Sequence, residues 1–309
     1  MPESTTAQPN GMFAATDYER KKLGREKFAK TVMLGAALLL IIPVLTIIGY
    51  IYFEAWPLLS WDYIWGNPED GGTAGGIWLP LIGTFYLVLV SLLIVAPIGI
   101  LAGVYLNEYA SDNWLTRIIN MAVTSLAGVP SIVHALFGVG AFVLTFGMGE
   151  SLIAAASTIA VMTIPVIITS TREALAAVPM SFREACWNMG ATKWQTIRTI
   201  VLPNSVSGIL TGVILEIARA AGETAPILFT GAAASIPFVA DSLGEKLAPY
   251  YLGDRFMALS YHLHVVAEKL NDVPEEMKYG TAAVLISLIL FINSFSIAFR
   301  SYLRSRKKW

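Results

Sequence analysis

Glu216, Arg219 and Glu223 follow one another at spacings of three and four inside an otherwise apolar run. On a helix those spacings put all three on one face. A charge near the middle of a bilayer costs about 2.5–3.5 kcal/mol on insertion scales, so such a face must look into a bundle, a partner or water. Two roles fit. One is mutual neutralisation that fixes packing. The other is an oxyanion path, in which Arg219 offers a planar fork of donors to a tetrahedral anion. Ionisable residues within a membrane mark substrate or ion routes by default, and the path is the reading taken forward. Groups for covalent chemistry are missing: the chain contains no G-x-S-x-G and no H-E-x-x-H. His262 and His264 are two apart and point to different sides of a helix, which argues against a metal site. Cys186 is the single cysteine, so no intramolecular disulfide and no cysteine-based zinc site can form. His134 stands alone in an apolar stretch and reads as a hydrogen-bonded interior residue.

A second group of residues lies in the segment 172–203, which is long for a connection and carries its own structure signals. Ser181 followed by Glu184 is a capping-box pattern and predicts a short helix starting there. Gly190 falls where a helix end needs a left-handed residue. Thr192 followed by Gln195 is a second capping box, opening a helix that runs to Leu202, and Pro203 fits the first turn of the next span. Two short helices meeting at Gly190 are therefore expected, with Ala185 and Cys186 keeping one face slim. A slim capped helix can enter a groove on a partner; an amphipathic helix lying on the membrane surface fits the same pattern.

The elements that must hold these residues follow from composition. Hydrophobic types make up 55% of 309 residues, charged types only 14%, and mean hydropathy is +0.62. Soluble domains carry about 25% charged residues, so this chain cannot cover a water-exposed globule of its size. A net charge of −1 argues against bulk nucleic-acid binding. The fold class is all-α, a polytopic membrane protein. A bilayer core of about 30 Å needs roughly 20 apolar residues per helix, and six stretches qualify. They run approximately over 31–53, 77–106, 118–146, 151–170, 203–230 and 281–299. Pro97, Pro130, Pro165 and Pro226 interrupt the second to fifth of them, where ordinary kinks and helices broken for a transport path both fit. Sixteen Lys and Arg residues fall in tails and loops on one side of these spans and four on the other, which places both termini in the cytoplasm. The organisation expected is a mobile cytoplasmic tail over 1–30, a first span with an external loop over 31–76, a core over 77–300, and a basic tail over 301–309. The largest external loop, 232–280, carries seven acids and four bases. Met257, Tyr261, Val265 and Glu268 predict an amphipathic helix there, near the membrane surface, either receiving a soluble partner or capping the bundle.

Glu184-Ala185-Cys186, then Gly190, then Ile200-Val201-Leu202-Pro203, resembles the E-A-A…G…I-x-L-P signature of permease subunits in bacterial ABC importers. Cys186 replaces the usual alanine, one small residue for another. Arg219-Ala-Ala-Gly222-Glu223 resembles the R-x-x-G-E motif shared by permeases for phosphate, sulfate and molybdate. The run Thr224-Ala-Pro-Ile-Leu-Phe-Thr230, with Val104 to Tyr109 and Gly128 to Val133, is similar to one of the two paired permease subunits of phosphate importers. The resemblance begins at about Ile77.

What it implies is a type I ABC importer permease fold, with the short helix before Gly190 acting as a coupling helix. Glu184 would both cap that helix and contact an ATPase. No GxxxxGK[ST] occurs, so ATP and Mg would be bound by a separate ATPase chain, and this chain would need no cofactor. The implied partners are a homologous permease subunit, two ATPase subunits and an external phosphate-binding protein. Glu216 departs from the pattern and would hold Arg219 between two carboxylates. Other oxyanions, a stand-alone secondary transporter or channel, and a sensory membrane subunit are the competing functions.

Overall fold

The computed structural model describes residues 17–238, 242–270 and 273–305. The chain divides into two units, 1–53 and 54–309. In its described part the first unit is one helix, α1 (Asp17–Ala55), whose end enters the second unit. The helix starts at Asp17, inside the stretch predicted as a mobile tail, because Lys, Arg, Glu and Leu are good helix formers and no proline intervenes before Pro43. Residues 1–16 of the predicted tail lie outside the described residues. The side chains of α1 from Val32 to Phe53 are apolar all round and largely exposed, as suits a helix whose solvent is lipid.

The second unit opens with α2 (Trp61–Trp65), capped by the Ser60 hydroxyl, which accepts from the Tyr63 N–H. A small hairpin follows, β1 (Pro68–Glu69) against β2 (Ala74–Gly75), around the glycine-rich turn. Next come α3 (Trp78–Val104), α4 (Trp114–Ala127), α5 (Ser131–Gly138) and α6 (Leu152–Ala176). The segment 172–203 holds α7 (Met180–Asn188) and α8 (Lys193–Thr196), and α9 (Leu202–Gly222) follows. The segment after α9 contains α10 (Ala225–Leu228), α11 (Leu243–Leu247) and α12 (Leu259–His264), before α13 (Glu275–Ser305). Single π-helical turns extend α3 over Tyr105–Tyr109, α5 over Val139–Thr145 and α12 over Val265–Lys269; a fourth, Ile197–Val201, joins α8 to α9.

Five helical stretches are long and apolar enough to cross a bilayer, and a bent pair makes a sixth. That pair is the stretch expected over 118–146, broken at Pro130 rather than only kinked. The segments Trp114–Ala127 and Ser131–Thr145 meet at 105°. Pro130 fixes its own φ, holds Val129 out of the helical region, and so ends one arm and opens the other. Pro97 and Pro165, by contrast, leave α3 and α6 continuous.

The centre of the second unit is α6, with α3 on one flank and α9 on the other. Each flank is a close approach of backbones. A β-carbon at Gly99 or Gly103 of α3 would stand 2.7 Å from the side chain of Ile167 or Thr171. One at Gly208 or Gly212 of α9 would stand 2.7 Å from Ala174 or 2.2 Å from Ser170. Both flanks read Gly-x-x-x-Gly, the spacing that lets membrane helices touch where lipid supplies no hydrophobic drive.

The outer loop is a packed lid rather than a surface helix. Phe256, Met257, Leu259, His262 and Val266 are buried against α3, α6 and α13. The Thr84 hydroxyl accepts from the Leu259 N–H at 2.8 Å, and the Tyr63 and Thr281 hydroxyls share a hydrogen bond at 2.9 Å. The expected amphipathic helix forms as α12 with its π turn, Leu259–Lys269, and carries Tyr261 and Val265 on its buried side and Glu268 on its exposed side; only Met257 falls before it.

Candidate functional site

The segment 172–203 forms as two short helices about Gly190, with one correction. Ser181 does not cap α7. The cap position is Pro179, which has no side-chain donor or acceptor, and Ser181 lies inside the first turn. Proline at 179 presets the entry, since the preceding Val178 ends the run from α6. At the other end Gly190 has φ +83°, and its N–H bonds the Trp187 carbonyl at 2.9 Å while the Ala191 N–H bonds that of Cys186 at 3.0 Å. This is a Schellman ending, which requires a left-handed residue. Thr192 and Gln195 form the expected capping box, each side chain on the other's backbone N–H.

α8 does not stop before α9. The π turn Ile197–Val201 carries the helix into Leu202 and Pro203 without a break, and the extra residue absorbs the N–H that Pro203 lacks. The Asn204 side-chain amide also donates to the Ile200 carbonyl at 2.8 Å. Ile200 and Leu202 are half-buried and flank Val201, which is sealed in a cluster with Val104, Leu175, Val178 and Ile197. Glu184, Ala185 and Gly190 are exposed and Cys186 is half-buried, so the signature residues of α7 turn outward. Met180, Trp187, Met189 and Trp194 are exposed around them. Spacing did not reveal these large apolar groups as one rim; it appears only when both short helices are folded.

Arg183 turns the other way. Its Nη1 donates to the Val178 carbonyl at 2.6 Å, and its Nη2 to the Leu175 carbonyl at 3.0 Å and to Glu108 Oε1 at 2.8 Å. Both side chains of this ion pair are over nine-tenths buried. Sequence reasoning had counted Arg183 only as a cytoplasmic charge, because its partner lies 75 positions away.

At the outer end, α9 stops at Gly222 instead of continuing to about residue 230. Glu223 is extended, and the short α10 follows, opened by Pro226 and packed on α5. The Glu223 carbonyl accepts from the Ser260 hydroxyl at 2.9 Å, and the Ser151 N–H bonds the Thr230 carbonyl at 3.0 Å. The outer lid thus holds the broken end in place. Arg219, in the last turn of α9, lies with its side chain 52% exposed, and its Nε is 3.4 Å from Oε1 of Glu223, which is 19% exposed. A cation there complements the C-terminal end of the helix dipole.

Glu216 is not beside them on the open face. It is buried between α3, α6 and α9, in a small cavity with Ser91 and Thr163, and its Oε2 has no hydrogen-bond partner. The three-residue step turns it toward α3, and the salt bridge of Arg219 is made with Glu223 instead. His134 is buried as expected, its Nδ1 3.3 Å from the Pro130 carbonyl, though Nε2 is unpartnered. His262 is fully buried with both ring nitrogens unpartnered, and burial pushes its pKa down to about 4. His264 points away from it to Glu268 at 3.4 Å. Among the described residues no three His, Cys, Asp or Glu side chains converge as metal ligands would.

Residues 96–309 match the family described as "Binding-protein-dependent transport system inner membrane component". A probable ABC transporter permease protein of Bacillus subtilis, YqgI, is 30% identical over 267 residues, 85% of this chain and 91% of its own length. The phosphate transport system permease protein PstA of Mycobacterium leprae is 38% identical over 245 residues, 78% of this chain and 74% of its own. Among solved structures, a bacterial alginate ABC transporter chain aligns with a TM-score of 0.58 at 14% identity, covering 91% of this chain and 97% of that one. A chain of the inward-facing methionine transporter MetNI aligns at 0.53 with 18% identity, covering 74% and 94%. These two show a shared fold. The chain belongs to the inner membrane components of binding-protein-dependent transport systems, and is a multi-pass permease subunit of an ABC importer whose work is transport rather than catalysis.

Proposed function

We propose that this permease carries inorganic phosphate into the cytoplasm, paired with a homologous permease subunit around a shared path. The observation that carries the reading is Arg219, half-exposed at the broken end of α9 and held by Glu223 within the Arg219…Gly222-Glu223 motif. A guanidinium so placed offers several donors in a plane to an oxyanion, and Glu223 sets its rotamer or competes for it at release. The names of relatives such as the Mycobacterium leprae protein support phosphate over other anions.

Two ATPase subunits grip the exposed face of α7 here and its counterpart in the sibling chain. They bind ATP and Mg, and this chain binds no cofactor. A soluble protein delivers phosphate on the outer side, and both termini lie in the cytoplasm, in keeping with the basic residues of the tails and of segment 172–203. ATPase closure then rocks the chain between outward-open and inward-open states. Glu184, Ala185, Cys186 and Gly190 form the docking surface; Ile200, Leu202 and Pro203 tie it to α9. Glu216 supports the path from behind and does not line it.

The test is reconstitution of this chain with its sibling, ATPase and binding protein in vesicles. ATP-dependent phosphate accumulation, unaffected by excess sulfate or molybdate, is expected. Accumulation driven by an ion gradient with this chain alone overturns the reading.

A further inference from the structure

Adjacent residues of α7 face opposite ways: Glu184 is exposed, whereas Arg183 is buried and committed to three acceptors. Those acceptors lie outside α7. Leu175 lies in the last turn of α6, where its carbonyl also accepts from the Val178 N–H at 3.2 Å, Val178 lies in the link from α6 to α7, and Glu108 lies in the π turn that ends α3. Asn107 donates to the same Glu108 oxygen at 2.9 Å, so that oxygen is held from two sides. One guanidinium therefore pins α3, α6 and α7 at a point screened from water, where an ion pair is strong and loss of either partner leaves an uncompensated buried charge.

The opposite end of α7 faces open space. A β-carbon at Gly190 would meet nothing within 4 Å. A push on the exposed face can swing the Gly190 end, but the Arg183 end cannot slide without moving Glu108 and the end of α6. Beyond that point, α3 and α6 are locked by Gly99 and Gly103, and α6 and α9 by Gly208 and Gly212. A continuous packed route thus joins α7 to the helix that bears Arg219. Such a route carries coupling only if its links hold in both states, and the link with fewest alternatives is the ion pair.

We infer that Arg183 and Glu108 are positioning residues, the joint through which displacement of α7 is passed to α3 and α6. The inference rests on α7 being the ATPase-docking helix. The joint is separate from docking: Arg183 and Glu108 are covered, and the surface offered to a partner is that of Glu184, Ala185, Trp187 and Met189.

The experiment uses the complete transporter in vesicles, scoring ATPase co-purification, ATP hydrolysis, and phosphate accumulated per ATP. Glu108→Ala and Arg183→Lys are expected to retain the bound ATPase and its hydrolysis. Phosphate moved per ATP should fall by about tenfold, because Glu108→Ala strands the buried guanidinium and the single ammonium of Arg183→Lys cannot span the three acceptors as the planar fork does. Glu108→Gln keeps an acceptor for Arg183 and should restore the ratio to within about threefold. A variant that only unfolds the chain would lower assembly and leave the ratio in the surviving complexes unchanged. A wild-type ratio in both Glu108→Ala and Arg183→Lys overturns the joint. Ala185→Trp, on the exposed face, tests docking alone: loss of co-purification supports docking at α7, and retention overturns that reading instead.

Discussion

Arg219 and Glu223 are joined at 3.4 Å across the point where α9 ends, the arginine inside the last turn and the glutamate just beyond it. The pair is therefore attached to two backbones that can separate, a helix and the segment held by Ser260. Partly exposed pairs of this kind contribute only about 0–1 kcal/mol to stability, so this pair adds little to folding.

Arg219→Ala should abolish ATP-driven phosphate uptake while leaving the complex assembled and melting within about 1 kcal/mol of wild type. Transport assays on purified complexes check this. Uptake at the wild-type rate removes Arg219 from the path.

Glu216→Gln should behave in the opposite manner. Its buried Oε2 lacks a partner, and a neutral amide is cheaper to hold there than a carboxylate. Thermal unfolding in detergent should show equal or greater stability, by up to about 1–3 kcal/mol, with uptake near wild type. A transport loss as deep as that of Arg219→Ala would return Glu216 to the path.

Gly190→Val forces a β-branched residue to φ +83° with open space around it, so the expected cost is backbone strain of about 1–2 kcal/mol and no steric clash. The Schellman ending should loosen and ATPase co-purification should weaken. Gly190→Asn, which tolerates the left-handed region, should retain most of it.

His262 gives the outer lid a pH dependence. Its folded pKa of about 4 lies below the ordinary value of 6.5, so the unfolded chain binds the extra proton first. Stability is complete above pH 6.5 and falls as pH drops toward 4, by about 3 kcal/mol if the whole shift is realised. His262→Phe should flatten that slope in melting curves taken between pH 7 and pH 4. An unchanged slope would assign the acid sensitivity elsewhere.

Features set by near neighbours were legible in the chain: Gly190 as a helix end, Thr192 with Gln195 as a cap, Pro130 as an interruption. Their physics lies within four residues, and tertiary packing did not override it. Ser181 failed by the same logic, since Pro179 two positions earlier already fixed where the helix begins. What spacing could not supply was direction. It put Glu216 and Arg219 on a common face, but α3 covers one and leaves the other open. Nor could it pair Arg183 with Glu108, because their meeting depends on how α3 and α6 end together. The segment 256–270 looked like a surface helix because its burial comes from α3, reached across 175 positions at Leu259 and Thr84, and from folding back onto α13.

The elbow at Pro130 has a geometric result. At 1.5 Å per residue its arms measure roughly 21 and 22 Å, and at 105° they reach only about 26 Å from end to end. Hydrocarbon in a relaxed bilayer is about 30 Å deep. The arms alone thus fall short of a full crossing, and the link 128–130 or a local thinning of the bilayer has to make up the difference if the pair spans it.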